Sequence, residues 1–254
     1  MKELADRLVQ TVRELYVAGL ITPTGGNVSI RLPGGHGFLI TPSGMPKGSL
    51  CPEDLVHLDP SGHRVLPPDE AVEVPATSAS GGGRPGVKPS IETPMHLRIY
   101  RLRPTCNAVI HTHAPAATLL GIAGVPIQPV TLDAVRFLGT PLVPFRIPGS
   151  KELVDAVEAA LSTAPGKQAL SSFEPAVSAE TAPAETSPAA SPSPALLLQN
   201  HGLVTFGPSV REAANYALAL EEVSRLLLEA QALGRPMALI PAEARDYLRK
   251  HMLA

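Results

Sequence analysis

The stretch AVIHTHAPAA, residues 108–117, places two histidines at the end of an apolar run. The apolar residues are typical of a buried β-strand, and the proline that follows suits the first turn of a helix. Residues two apart in a strand face the same side of a sheet, so His111 and His113 present both imidazoles together. This arrangement suits two ligands of one divalent cation, but an ordinary pair of partly exposed histidines has the same pattern.

A metal site of this kind needs a third protein ligand, and the sequence offers one candidate in each of two other segments. His201 lies in LLLQNHGLV, between apolar runs where an unpaired imidazole would be costly. Glu92 opens a predicted helix just before the strand with the two histidines, where the helix N-terminus favours an anion. His201 could instead be an ordinary core histidine bonded to backbone, and Glu92 could be an ordinary acid in the first turn of a helix. His96 shares the helix face of Glu92 and could compete as a ligand, but we interpret it as structural.

Hydrophobic periodicity predicts how these segments are arranged. Short apolar runs predict strands at about 28–31, in GFLITPSG, DLVHLD, NAVIHTH and TPLVPF, and on both sides of the QNHG turn. Amphipathic patterns and capping residues predict the helices: one ending near Gly19, one from about Glu92, one in PAATLLGIAG, one capped by Ser150, and one over 210–233 with Ser209 and Glu212 as a capping box. The mixture predicts an α/β fold, a sheet covered by helices with antiparallel or mixed pairing.

Composition excludes several classes of function. The 254 residues carry a net charge of −2 and contain no basic block, so no nucleic-acid partner is expected. No apolar run approaches the length of a membrane span, and the two cysteines match no metal or redox spacing, which favours a cytoplasmic protein. We expect a single domain over 1–254, with a flexible loop at 74–88 and a disordered low-complexity insertion at 163–194.

Six segments in order, GGNVS, LITPSG, PSIETPMH, AVIHTHAPAA, PGSKEL and QNHGLVTFG, resemble the class II aldolase/adducin family, which includes L-fuculose-1-phosphate aldolase. The resemblance implies a three-layer α/β/α sandwich with a central, mainly antiparallel sheet. It implies a homotetramer with active sites between subunits. It also implies one divalent ion per subunit, Zn²⁺ or another such as Mn²⁺ or Co²⁺, with these protein ligands: Glu92, His111, His113 and His201.

The same resemblance implies residue roles and a reaction. The reaction is retro-aldol cleavage of a short ketose phosphate through a metal-stabilised enediolate, and Glu92 would be its acid/base. A tail tyrosine donates a proton in some members, and Tyr247 is the candidate here. The positions that match the family's phosphate-binding residues are Gly26, Asn27, Ser43, Gly44 and Ser90.

Departures from the family pattern leave the substrate open. Ile91 replaces a serine that precedes the acid in fuculose-phosphate aldolases, and VTLDAVRFLG lacks an expected tyrosine. The absence of lysine from TPSG and the presence of Glu92 favour an aldolase over the ribulose-phosphate 4-epimerases, although Asp133 could be read as an epimerase acid. Decarboxylation of a 3-oxo-acid phosphate and dehydration use the same metal set, and a non-catalytic adducin-like scaffold is a remote alternative.

Overall fold

A computed structural model describes residues 1–65, 87–162 and 193–251. Its centre is a seven-stranded sheet in the order β3-β2-β1-β4-β7-β6-β5. Neighbouring strands are antiparallel except β5 and β6, which are parallel. The strands are β1 (Asn27–Arg31), β2 (Phe38–Ile40), β3 (Val56–Leu58), β4 (Ala108–Thr112), β5 (Leu142–Val143), β6 (Ala195–Leu198) and β7 (Gly202–Gly207).

Helices cover both faces of this sheet, each with its own apolar core. Alternate residues of β1 show the division, because Val28 and Ile30 join the core on one face while Ser29 points to the other. Helices α1, α3, α4 and α6 pack on the first face, and α2 and α5 on the second. The helices are α1 (Lys2–Val17), α2 (Thr93–Leu102), α3 (Pro115–Ala123), α4 (Leu132–Arg136), α5 (Lys151–Ser162), α6 (Val210–Ala232) and α7 (Ala242–His251). The predicted three-layer α/β/α sandwich with a mainly antiparallel sheet is confirmed.

Helix ends follow the capping chemistry of the sequence. The Ser209 hydroxyl accepts a hydrogen bond from the Glu212 backbone N–H at 3.2 Å, and the Ser150 hydroxyl accepts one from Leu153. The helix predicted from about Glu92 begins one residue later, and Glu92 is its N-cap residue. Two helices were not predicted, α4 and α7. Within the described part of the chain, no helix is both long and apolar enough to cross a bilayer.

Two predicted segments fall almost wholly outside the described residues. These are the loop at 74–88 and the insertion at 163–194. At the end of the second, the described chain resumes with Ser193, which is buried and shares a hydrogen bond of 2.7 Å with the Thr140 hydroxyl.

Candidate active site

The first two histidines lie at the end of the central strand β4. His111 is fully buried and pairs in register with Asn27 of β1 on one side and Val204 of β7 on the other. His113 follows one residue past the strand, where its backbone N–H donates to the Leu20 carbonyl at 2.9 Å. The ring centroids of the two histidines are 5.0 Å apart, so the i, i+2 spacing brings both imidazoles to one face as predicted.

The turn between β6 and β7 brings His201 to the same place. Asn200 adopts a left-handed conformation with φ 56°, and the His201 backbone N–H closes the turn on Leu198. Gly202 then lies so close to β4 that a Cβ atom there would overlap the Thr112 carbonyl oxygen. The ring of His201 is therefore 4.6 Å from that of His111, centroid to centroid, and one ligand atom from each of the three histidines lies within 4.8 Å of the others.

Glu92 completes this cluster from the start of α2. Its side chain is buried, with Oε2 3.3 Å from Nε2 of His111 and Oε1 3.4 Å from Nε2 of His201. The Asn27 amide donates a hydrogen bond of 2.7 Å to Oε2, which fixes the rotation of the carboxylate. Four residues from three separate segments of the sequence thus meet beside the central strands, and the candidate ligands predicted from sequence lie together.

The chemistry of these donor atoms fits a bound cation. The Leu203 carbonyl can only accept, so Nδ1 of His111 carries the proton and Nε2 carries a lone pair. That Nε2 and Oε1 of Glu92 are both buried without a hydrogen bond to any described residue, which is costly unless a ligand pairs with them. Three imidazole nitrogens with one carboxylate form a donor set that zinc accepts well, and imidazole also suits other divalent transition metals.

Burial keeps the imidazoles of His111 and His113 ready to act as ligands. The pKa of His111 is held well below its usual range, first by burial and then by the neighbouring rings of His201 and His113. Burial and His201 also lower the pKa of His113, partly opposed by the charge of Glu92. Neutral rings retain the lone pair that a metal requires.

A chain of buried hydrogen bonds supports Glu92 from behind. Because the Asn27 amide nitrogen donates to Glu92, its Oδ1 accepts from Nε2 of His96 at 2.5 Å. Nδ1 of His96 then accepts from the Ser29 hydroxyl at 2.7 Å, and Ser29 in turn accepts from the Tyr100 hydroxyl at 2.9 Å. Burial lowers the pKa of His96 to about 3, so the ring is neutral. Both ring nitrogens of His96 are occupied, which agrees with a structural role rather than metal binding.

The places of Ser29 and Tyr100 in this chain of hydrogen bonds were not predicted from the sequence. One signal was available, because Glu92, His96 and Tyr100 are spaced at i, i+4 and i+8 on one helix face. Ser29 had no comparable signal, since only the pairing of β1 with β4 and the packing of α2 reveal it.

The residues predicted for phosphate binding lie on adjoining turns. Gly26 and Gly44 have φ of 80° and 69°, conformations that favour glycine. The Ser43 backbone N–H donates to the Lys88 carbonyl at 2.9 Å, which places the segment of Ser90 beside it. The side chain of Asn27 is occupied by Glu92 and His96. Its predicted contact with phosphate stays a prediction, as do the others.

Tyr247 and Ile91 lie away from the buried centre. Tyr247 lies on α7 with its side chain exposed, and its ring is 4.7 Å from that of His251, centroid to centroid. Within the described residues of one chain, no contact joins Tyr247 to the histidine cluster of the candidate site, so its catalytic role stays a prediction. Ile91 is 62% exposed, at the rim next to Glu92, where its alkyl side chain offers no polar contact.

The chain thus combines a mainly antiparallel sheet between helices with three histidines and a glutamate that converge beside its central strands. The family model for the Class II Aldolase and Adducin N-terminal domain matches residues 6–228. The chain therefore belongs to the class II aldolase/adducin family.

Relatives within this family carry different activities. The chain is 29% identical to the 3-oxo-tetronate 4-phosphate decarboxylase of Escherichia coli strain K12, over 89% of this chain and 86% of that protein. It is 28% identical to the L-fuculose phosphate aldolase of Haemophilus influenzae, over 95% and 89% respectively. Among solved structures, YgbL from Escherichia coli superimposes with a TM-score of 0.72 at 27% identity, covering 97% of this chain and 98% of YgbL.

Proposed function

We propose that the protein is a divalent-metal-dependent aldehyde-lyase that cleaves a short ketose phosphate by a retro-aldol reaction. The observation that carries the proposal is the convergence of three imidazoles and Glu92 on one point, where Nε2 of His111 and Oε1 of Glu92 are buried and form no hydrogen bond with the described residues. The scaffold alternative gives no reason to maintain so costly a cluster.

His111, His113 and His201, with Glu92, would hold the ion. A bound divalent ion supplies Lewis acidity toward a carbonyl oxygen of the substrate. The two oxygens of Glu92 are unequal, because Oε2 accepts a hydrogen bond from Asn27 and Oε1 accepts none from the part of the chain that the structure describes. We assign the proton transfer at the reacting carbon to Oε1 of Glu92, which would help to hold the ion in the resting site and be released from it when the substrate binds.

The turns that carry Ser43, Gly44 and Ser90 would hold the phosphate. Backbone N–H groups in glycine-containing turns favour anions. The Ser90 hydroxyl also accepts a hydrogen bond of 3.3 Å from the Glu92 backbone N–H. This bond ties the proposed phosphate site to the proposed acid/base, so a substrate that spans both would be fixed in orientation.

The subunit arrangement is also part of the proposal. Ile91, Phe145 and Ile147 are exposed by 62%, 50% and 71%, and the Ile91 backbone lies against the glycine at position 149 of the same rim. An exposed apolar rim beside the site suits burial against a second subunit, as expected for a homotetramer with sites at its interfaces. Light scattering on the purified chain tests this state directly.

Metal analysis and cleavage assays test the reaction. Purified protein should bind about one divalent ion per chain, and cleavage of ketose phosphates should vanish on chelation or in His113→Ala. The matched control is His63→Ala, because His63 is exposed on a turn outside the cluster. Unaltered cleavage by thoroughly metal-stripped protein would remove the proposal.

Decarboxylation of a 3-oxo-acid phosphate is the second candidate, supported by the decarboxylase relative and by Ile91 in place of the expected serine. Both reactions need the same metal and phosphate sites. A panel of ketose 1-phosphates, ribulose phosphates and 3-oxo-acid phosphates separates them, since one reaction releases an aldehyde and the other carbon dioxide.

A further inference from the structure

Lys47 is a buried lysine next to the two turns proposed to bind phosphate. It is 1% exposed and is among the largest fully buried side chains of the described chain. Its ammonium donates to the Pro42 carbonyl at 2.9 Å, and its backbone N–H donates to the Pro23 carbonyl at 2.8 Å. One residue therefore connects the TPTGG turn, residues 22–26, to the TPSG turn, residues 41–44.

The same two turns are connected by backbone pairing. The Thr41 backbone N–H donates to the Val28 carbonyl at 3.0 Å, and the Thr41 hydroxyl accepts from the Val28 N–H at 3.1 Å. The two turns thus leave the β1–β2 ladder side by side, with Gly26 and Gly44 in left-handed conformations. Lys47 lies against this pair from the interior.

The charge of Lys47 has no counter-charge in the described residues. Its only partner there is a neutral carbonyl, and no carboxylate forms an ion pair with it. An unpaired buried ammonium is expensive, and burial lowers the pKa of Lys47 to about 8. A neutral donor could make the hydrogen bond to Pro42 without that cost, so the fold alone gives no reason for a charged side chain.

We propose that Lys47 is a specificity-determining residue whose buried positive charge makes the paired turns select a phosphate dianion. The anion would supply the missing counter-charge. Because water is excluded around Lys47, its field is weakly screened, unlike that of a surface lysine. The identity of the phosphate as part of a sugar substrate rests on the proposed function, but the charge argument does not.

Inorganic phosphate is the probe, and two neutral variants test the role of the charge. Lys47→Met removes the charge and the hydrogen bond, and Lys47→Gln removes the charge but keeps a donor for Pro42. Calorimetric titration should show phosphate affinity at least tenfold weaker in both. In the metal-loaded enzyme the KM for the phosphorylated substrate should rise about tenfold, with kcat within about twofold. Lys2→Met, which removes an exposed lysine on α1, should change neither by more than about twofold.

A purely structural role gives a different result. If Lys47 only joins the turns, Lys47→Gln retains phosphate affinity within about twofold of wild type, which overturns the inference. Lys47→Gln also supplies the answer if Lys47→Met does not fold. A chain that binds phosphate through Lys47 yet cleaves no sugar phosphate would leave this inference standing and remove the proposed function. If the neutral variants cleave the substrate with unaltered KM, this inference is wrong and the proposed function stands.

Discussion

Substitution of Gly202 by alanine tests how the sheet assembles the site. A Cβ at this position would overlap the Thr112 carbonyl oxygen and lie 3.1 Å from Cε1 of His111. A backbone atom cannot move aside alone, so β7 must shift away from β4, and His201 moves with it. Over-packing of this kind costs about 1–3 kcal/mol in the free energy of unfolding. Zinc ligands must lie within a few tenths of an ångström of about 2.0–2.1 Å, so we expect zinc affinity to fall about 100-fold.

Urea unfolding of the metal-free protein measures the first effect, and competition with a chromophoric chelator measures the second. Gly121→Ala is the matched control, because a Cβ there would meet its nearest neighbours at 3.5–3.8 Å and the residue lies within α3. Alanine is the better helix former, so this variant should be at least as stable as wild type and bind zinc normally. Wild-type zinc affinity in Gly202→Ala would refute the argument that close approach of the two strands sets the ligand geometry.

Three further predictions concern the supports of the site. His96→Phe should lower the free energy of unfolding by about 3 kcal/mol, because it leaves polar atoms of Asn27 and Ser29 unpaired. Steady-state kinetics should also show that this variant lowers kcat more than it raises KM. The unfolded chain takes up a proton on histidine below pH 6.5 whereas folded His96 stays neutral down to about pH 3. As the pH is lowered from 6.5 toward 3, this residue should therefore reduce the free energy of unfolding by about 1.4 kcal/mol per pH unit. Urea titrations at several pH values should show a flatter slope for His96→Phe. Glu221→Gln should lower the thermal midpoint by the equivalent of about 1 kcal/mol, because the carboxylate accepts the Ala116 and Ala117 backbone N–H groups at the start of α3.

Elements with strong local signals could be predicted from the sequence. The long helix α6 combines a capping box with an apolar face, and β4 is a buried apolar run followed by a proline. The unpredicted helices have weaker signals. Thr131 caps α4, but the five residues of this helix are too few for an apolar residue to recur over several turns. Leu248 is the one buried residue of α7, so the pattern of that helix is mostly polar.

The candidate ligands could be found in the sequence, but the contacts of Asn27 and Lys47 could not. Histidines in apolar runs are unusual because an unpaired imidazole is costly to bury. This pattern indicated His111 and His201 as candidate ligands. The hydrogen bonds of Asn27 and the reach of Lys47 to Pro42 depend on the register of β1 and on the path of a turn. No local periodicity records those features, because they arise only when distant segments pack.

The strand order explains why the site lies where it does. In the order β1-β4-β7, the strand with His111 has the Asn27 strand on one side and the strand that follows His201 on the other. The same backbone ladders that hold the sheet together therefore fix His111, the Asn27 amide that positions Glu92, and the turn with His201. Any change that shifts this ladder, as we expect of Gly202→Ala, must alter the site and the stability together. A change at the rim can alter one without the other.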